Sequence, residues 1–136
     1  ASMAANTEHS RPAIVALLAA LALLAHAASV ACHITYGGET RIVEATPTAD
    51  PYTAPTVSIG SYFRLRIVFR TQPADLAGIK LYAYADRDEG PSLIHQATYP
   101  YPPPPAAVHR FSGLNFVYEP LRDGELQYWC ELKGVP

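Results

Sequence analysis

Two stretches in the middle of the chain alternate between apolar and largely polar positions. In residues 62–70 the odd positions are apolar and carry Phe63, Leu65, Ile67 and Phe69. Over residues 79–85 the odd positions are again apolar. The even positions of the two stretches carry Tyr62, Arg64, Arg66, Val68, Arg70, Lys80, Tyr82 and Tyr84. Because successive side chains of a strand point to opposite faces, each stretch predicts an antiparallel strand with one buried and one solvated face.

Shorter segments with strand character precede and follow these two. They are residues 32–36, 40–44, 92–99, 109–118 with a break at Ser112-Gly113, and 125–132. Gly37-Gly38 joins the first two as a tight hairpin, because glycine supplies the positive φ angles that such a turn needs. About seven strands with no helical periodicity between them predict an all-β domain, an antiparallel β-sandwich.

Proline interrupts this pattern at two places. Residues 45–56 contain three prolines and predict an extended crossing loop or an edge, because proline cannot donate to a strand ladder. Residues 100–105 carry five prolines around Tyr101 and predict a stiff polyproline II rod, unable to pair. Such a rod costs little entropy to bind, so Tyr99 and Tyr101 are candidate partner contacts.

The first 31 residues differ in kind from the rest and predict a secretory signal peptide. An uncharged apolar run over residues 13–25 follows Arg11, and the small-residue segments 25–27 and 29–31 both suit a signal peptidase. Two alternatives stay open, a retained helical membrane anchor and a lipid attached to Cys32. Ala1-Ser2 ahead of Met3 has the character of a cloning scar. We therefore divide the chain into a leader, 1–31, and a β-sandwich domain, 32–136, that is periplasmic or secreted.

The two cysteines, Cys32 and Cys130, are expected to form a disulfide between the first and the last strand of an exported domain. Lipidation of Cys32 would instead leave Cys130 unpaired. Around the second cysteine, Asp123-Gly124 followed by Tyr128-Trp129-Cys130 resembles the strand of immunoglobulin domains in which a corner tyrosine precedes the second cysteine by two residues. This resemblance covers about eight residues and implies an immunoglobulin-like sandwich, not an immunoglobulin function.

Charge and motifs narrow the function classes. A net charge of −2 argues against a general nucleic-acid binder, whose affinity comes from neutralising phosphates. The sequence has no Cys-x-x-Cys and no nucleophile signature, and the carboxylates of the turns are expected to be ordinary solvated groups. We therefore expect no enzyme and no cofactor. Membrane contact is expected only if the leader is retained or Cys32 is lipidated.

A protein-binding function remains, as an accessory subunit of a periplasmic or membrane-associated complex or as an inhibitor or immunity protein. Arginine and tyrosine are enriched where proteins bind each other. The predicted partner-binding residues are Arg64, Arg66, Arg70, Tyr82, Tyr84, Tyr99 and Tyr101. The alternative is a small copper-type metal-binding protein that uses His33, His95 and His109, although their scattered positions fit no standard metal spacing.

Overall fold

A computed structural model describes residues 27–134 of the chain. It contains eight antiparallel strands and one short 3-10 turn at Pro51–Thr53. The strands are β1 (Ser29–Tyr36), β2 (Glu39–Ala45), β3 (Thr56–Ile59), β4 (Phe63–Arg70), β5 (Gly78–Arg87), β6 (Gly90–Tyr99), β7 (Asn115–Glu119) and β8 (Gly124–Lys133). The predicted leader helix lies almost wholly outside the described residues.

The strands form two four-stranded sheets. Sheet A has the order β2-β1-β8-β7, and sheet B has the order β3-β4-β5-β6. Strands that follow each other in the chain are therefore neighbours, except where the chain crosses between the sheets after β2 and after β6. The first and last strands are also neighbours, so sheet A is completed only by pairing β1 with β8. The all-β prediction and its two antiparallel sheets are confirmed.

The core is formed by the facing sides of the two sheets. Phe63, Leu65, Ile67 and Phe69 of β4 are all buried, as the alternation predicted. The odd positions 79–85 of β5 are buried as well. Sheet A contributes Val30, Cys32, Ile34, Val117, Leu126, Tyr128 and Cys130. At about 25 cal/mol per Å² of apolar surface removed from water, such side chains each stabilise the fold by about 1.5–3 kcal/mol.

The disulfide joins Cys32 and Cys130, which lie directly opposite each other in β1 and β8 with their Cα atoms 4.0 Å apart. The predicted covalent link between the first and last strands is confirmed, and Cys32 is thereby engaged in a bond that excludes its lipidation in this state. Immunoglobulin domains carry an inter-sheet disulfide and Greek-key connections. Here the bond lies within one sheet and consecutive strands are neighbours, so the immunoglobulin-like detail is not confirmed.

Two local predictions differ from the structure. The proline-rich loop ends in the edge strand β3, and this makes eight strands instead of about seven. The segment 109–111 is a turn, since His109 and Arg110 have φ angles of 52° and 48° that no strand adopts. The Ser112 hydroxyl accepts a hydrogen bond of 2.7 Å from the backbone N–H of Cys130 and so takes the place of a strand partner there.

Candidate functional site

The outward side of sheet B brings together five of the residues predicted to bind a partner. In the register of β4 and β5, Arg64 lies opposite Tyr84 and Arg66 lies opposite Tyr82. The guanidinium of Arg66 is 5.5 Å from the centroid of the Tyr82 ring, within the range of a cation–π contact. We call this surface the basic face; it comprises Arg64, Arg66, Arg70, Lys80, Tyr82 and Tyr84.

The arginines of the basic face differ in their hydrogen-bond and ion-pair partners. Nε of Arg64 donates a hydrogen bond of 3.0 Å to Asp86 Oδ2, so this charge is neutralised within the domain. Arg66 donates through Nη2 to the carbonyl of Pro51 at 2.6 Å. Among residues 27–134, no carboxylate forms an ion pair within 4.0 Å of Arg66, Arg70 or Lys80. Three of the four cationic side chains of the basic face therefore keep an uncompensated positive charge.

A groove of about 580 Å³ crosses the basic face where these three cations lie. Its floor is formed by β4 and β5, the 3-10 turn at Pro51–Thr53 forms one wall, and residues 76–78 form another. Tyr52 is 90 % exposed and Leu76 is 54 % exposed at its rim. The volume is within the range of sites that bind a small ligand or a short peptide segment.

Val68 is the apolar centre of this groove. It occupies an outward position of β4 between Arg66 and Arg70, yet it is only 3 % exposed. The Nε atoms of Arg66 and Arg70 are also buried and have no hydrogen-bond partner among the described residues. Because these two Nε atoms are buried, a ligand in the groove would meet the terminal guanidinium nitrogens of Arg66 and Arg70 instead.

Tyr99 and Tyr101 do not share the basic face. The ring of Tyr99 packs against Phe111 at 5.2 Å between centroids, and its hydroxyl donates to the Ser112 carbonyl at 3.3 Å. Tyr101 packs against Phe69 at 5.3 Å. Both rings thus pack against the core, although Tyr99 also borders the groove. The tyrosines of the proline-rich rod have a packing role that their sequence did not reveal.

The three histidines lie at separate places. His33, on the outer side of sheet A, stacks on Trp129 at 3.9 Å and hydrogen-bonds to Glu131 at 2.6 Å. The imidazole of His95 points between the sheets and meets the Tyr128 hydroxyl. His109 lies in the turn before β7, 6.1 Å from Trp129. Within residues 27–134 no three His, Cys, Asp or Glu side chains are grouped so as to hold a metal ion.

Glu119 is the residue that the sequence analysis most clearly missed. It is fully buried at the end of β7, whereas carboxylates near turns were expected to be solvated. Arg87 and Arg122 donate hydrogen bonds of 3.1 and 3.0 Å to it, and the backbone N–H groups of residues 121 and 122 donate two more. The guanidinium of Arg122 also covers the Tyr62 ring at 4.2 Å. This cluster joins the ends of the two sheets.

Glu119 stays ionised because its partners outweigh its burial. Burial acts to raise the pKa of Glu119, but the hydrogen bonds from Arg122, Arg87 and the two backbone N–H groups lower the pKa to about 2. All of these groups stabilise the ionised carboxylate. Its environment is therefore that of a structural ion cluster, whereas a general acid needs to hold a proton. The cluster lies away from the groove of the basic face.

Nothing matches this chain in comparisons with family models, curated proteins and solved structures. Within the described part of the chain, no helix has the length and apolar character needed to cross a membrane. The run 13–25, which carries the predicted signal peptide or anchor, lies outside that part.

Proposed function

We propose that the domain is an exported, non-catalytic protein-binding module whose partner docks on the basic face. One observation carries the proposal: Arg66, Arg70 and Lys80 line a single groove without a carboxylate partner among the described residues. A protein does not gain stability from three unpaired like charges side by side, because they repel each other. Such an arrangement favours binding of a complementary acidic surface.

The residue types of the face support the same proposal. Arginine and tyrosine provide large contact areas and directed hydrogen bonds, and they are enriched among residues that dominate binding energies. Tyr82 and Tyr84 are half-buried on the outward side, and their neighbours on β4 order them. A partner would therefore meet a surface that is largely pre-organised, which reduces the entropy lost on binding.

The disulfide is compatible with an oxidising compartment, and we propose that the chain is exported to the periplasm or beyond. If a signal peptidase removes the leader, cleavage after Ala27 leaves β1 intact. Cleavage after Ala31 would instead remove Val30, which is fully buried and pairs with Ala45 and Leu132. We expect the exported protein to begin at Ala28, which its intact mass would show.

The binding function is tested by capture from the envelope of the source organism. We expect the triple variant Arg64→Gln, Arg66→Gln, Tyr82→Ala to lose a partner that the native domain retains. The matched control changes three outward residues of sheet A, Thr40→Ala, Ile42→Ala and Phe116→Ala. Equal capture by the native domain and the basic-face variant would refute the proposed docking surface.

A further inference from the structure

The charges of the groove are spaced along one strand, and this spacing limits what can bind there. Arg66, Val68 and Arg70 are successive outward residues of β4, and Lys80 of β5 lies opposite Val68. With a rise of about 3.3 Å per residue, the Cα atoms of Arg66 and Arg70 are about 13 Å apart. A single carboxylate or phosphate group is much smaller than this separation.

An extended peptide has the same repeat. Its residues i, i+2 and i+4 lie on one side of the chain, with i and i+4 about 13 Å apart. Carboxylates at i and i+4 would therefore face Arg66 and Arg70, and an apolar side chain at i+2 would cover Val68. The ammonium group of Lys80 adds positive charge beside the centre of the groove.

We propose that the groove binds an extended acidic segment of the partner protein with the pattern acidic–x–apolar–x–acidic. This inference rests on the proposed partner-binding function and adds the chemistry of the segment that is recognised. The carboxylates accept hydrogen bonds from the terminal N–H groups of the Arg66 and Arg70 guanidiniums, because the Nε atoms of both residues are buried and out of reach of a ligand. Such charge-assisted hydrogen bonds are stronger than neutral ones.

The rim of the groove favours a peptide over a simple anion. Tyr52 and Leu76 are exposed on either side of the basic floor, where they would contact the side chains or backbone that flank the acidic residues. A free phosphate would use the cations but would leave this rim uncovered. The combination of cationic floor and apolar rim therefore selects an acidic segment that also carries apolar groups.

The inference is tested with fluorescein-labelled heptapeptides and the disulfide-bonded domain, by fluorescence anisotropy at low and at physiological salt. The probe is Ser-Glu-Thr-Val-Thr-Glu-Ser, and one control replaces both glutamates by glutamine. A second control, Ser-Glu-Glu-Val-Thr-Thr-Ser, keeps the charge and removes the spacing. We expect the probe to bind about tenfold more tightly than the clustered control, in which one glutamate is out of place, and about a hundredfold more tightly than the glutamine control, since each lost charge-assisted hydrogen bond weakens binding about tenfold.

Arg70→Gln should weaken probe binding about tenfold, whereas Arg110→Gln, which removes the same charge from an exposed loop position, should leave it unchanged. If Arg70→Gln does not fold, a charge exchange replaces this test. The Arg70→Glu variant should then bind a probe whose second glutamate is lysine more tightly than it binds the original probe. Equal binding of the spaced and clustered peptides, equal loss in Arg110→Gln, or full competition by inorganic phosphate would each overturn the inference.

These outcomes are separable from those of the capture experiment. If no heptapeptide binds but the triple variant still loses its envelope partner, the basic face is a docking surface and the acidic-strand inference is wrong. If the peptide binds and the triple variant keeps its partner, the groove recognises acidic segments but does not mediate that capture. Failure of both experiments would refute the site altogether.

Discussion

The Tyr128 hydroxyl of sheet A and the His95 Nε2 atom of sheet B lie 2.6 Å apart and form a hydrogen bond across the interior of the sandwich. Tyr128 is fully buried, and its pKa is raised, mainly by burial and further by the nearby Tyr99 hydroxyl. Burial lowers the pKa of His95 from its ordinary value of 6.5. The two residues therefore form a neutral pair within the core at neutral pH.

This pair predicts an acid-sensitive stability above the range where carboxylates titrate. Because the folded protein disfavours the imidazolium, the contribution of His95 is fully present above the unfolded-state pKa of 6.5. It is lost as the pH falls from 6.5 toward the lower pKa of the folded state. We expect the urea midpoint to fall in this range, and His95→Gln to remove most of the dependence. His109→Gln is the matched control, and a similar flattening in both variants would contradict the assignment to His95.

Glu119 predicts a second, more acidic transition. Its folded-state pKa of about 2 lies below its ordinary value of 4.5, so its contribution is present above pH 4.5 and is lost as the pH falls toward 2. We expect denaturation curves of Glu119→Gln to show a lower midpoint at neutral pH and a flatter loss between these two values. Glu89→Gln, at an exposed turn position, is the charge-matched control. If both variants behave alike, the cluster around Glu119 does not support the fold.

Two glycines with similar backbone angles separate conformational strain from steric overlap. Gly38 and Gly60 have φ angles of 78° and 60°, but a Cβ at Gly38 meets nothing within 4 Å, whereas at Gly60 it would lie 2.2 Å from Cε1 of Tyr36. We expect Gly38→Ala to cost about 1–2 kcal/mol for the left-handed conformation alone. Gly60→Ala should cost about 2–5 kcal/mol, because overpacking against the Tyr36 ring adds to the strain. Chemical denaturation measures both, and equal losses would show that the ring moves aside freely.

The disulfide predicts a large loss of stability when it is absent. The bonded residues are 98 positions apart, and a loop of this length corresponds to about 4–5 kcal/mol in the chain-entropy model. We expect the free energy of unfolding of Cys32→Ala, Cys130→Ala to fall by this order, with the strand content retained in circular dichroism at low temperature. A double variant within about 1 kcal/mol of the native domain would contradict this account.

The sequence was most informative where one face of a strand is buried and the other solvated. In β4 and β5 the alternation predicted both the buried residues and the outward Arg and Tyr side chains, because burial itself imposes the period of two. The disulfide followed from the number and the positions of the cysteines. The strand order did not follow, since pairing between distant segments leaves no mark in a single sequence.

The features that the sequence did not predict depend on contacts that form only in the folded chain. β3 is four residues long between Pro55 and Gly60, too short to show alternation. Glu119 carries no sign in the sequence that Arg87 and Arg122 will surround it. The groove could have been noticed from Val68, the one apolar residue at an outward position of an otherwise basic strand face. The turn at Pro51–Thr53, which also lines the groove, is fifteen or more residues away from Val68 along the chain.

The pairing of β1 with β8 has a consequence for how the domain is made. The hairpins β1–β2, β3–β4, β4–β5, β5–β6 and β7–β8 are local and can form as the polypeptide emerges from the ribosome or a translocation channel. The strands β1 and β8, which form the central pair of sheet A, cannot pair until the residues up to Lys133 have emerged. Until then β1 has an unpaired edge that can bind strands of other chains, so the nascent chain is vulnerable to aggregation until β8 has emerged and paired with it.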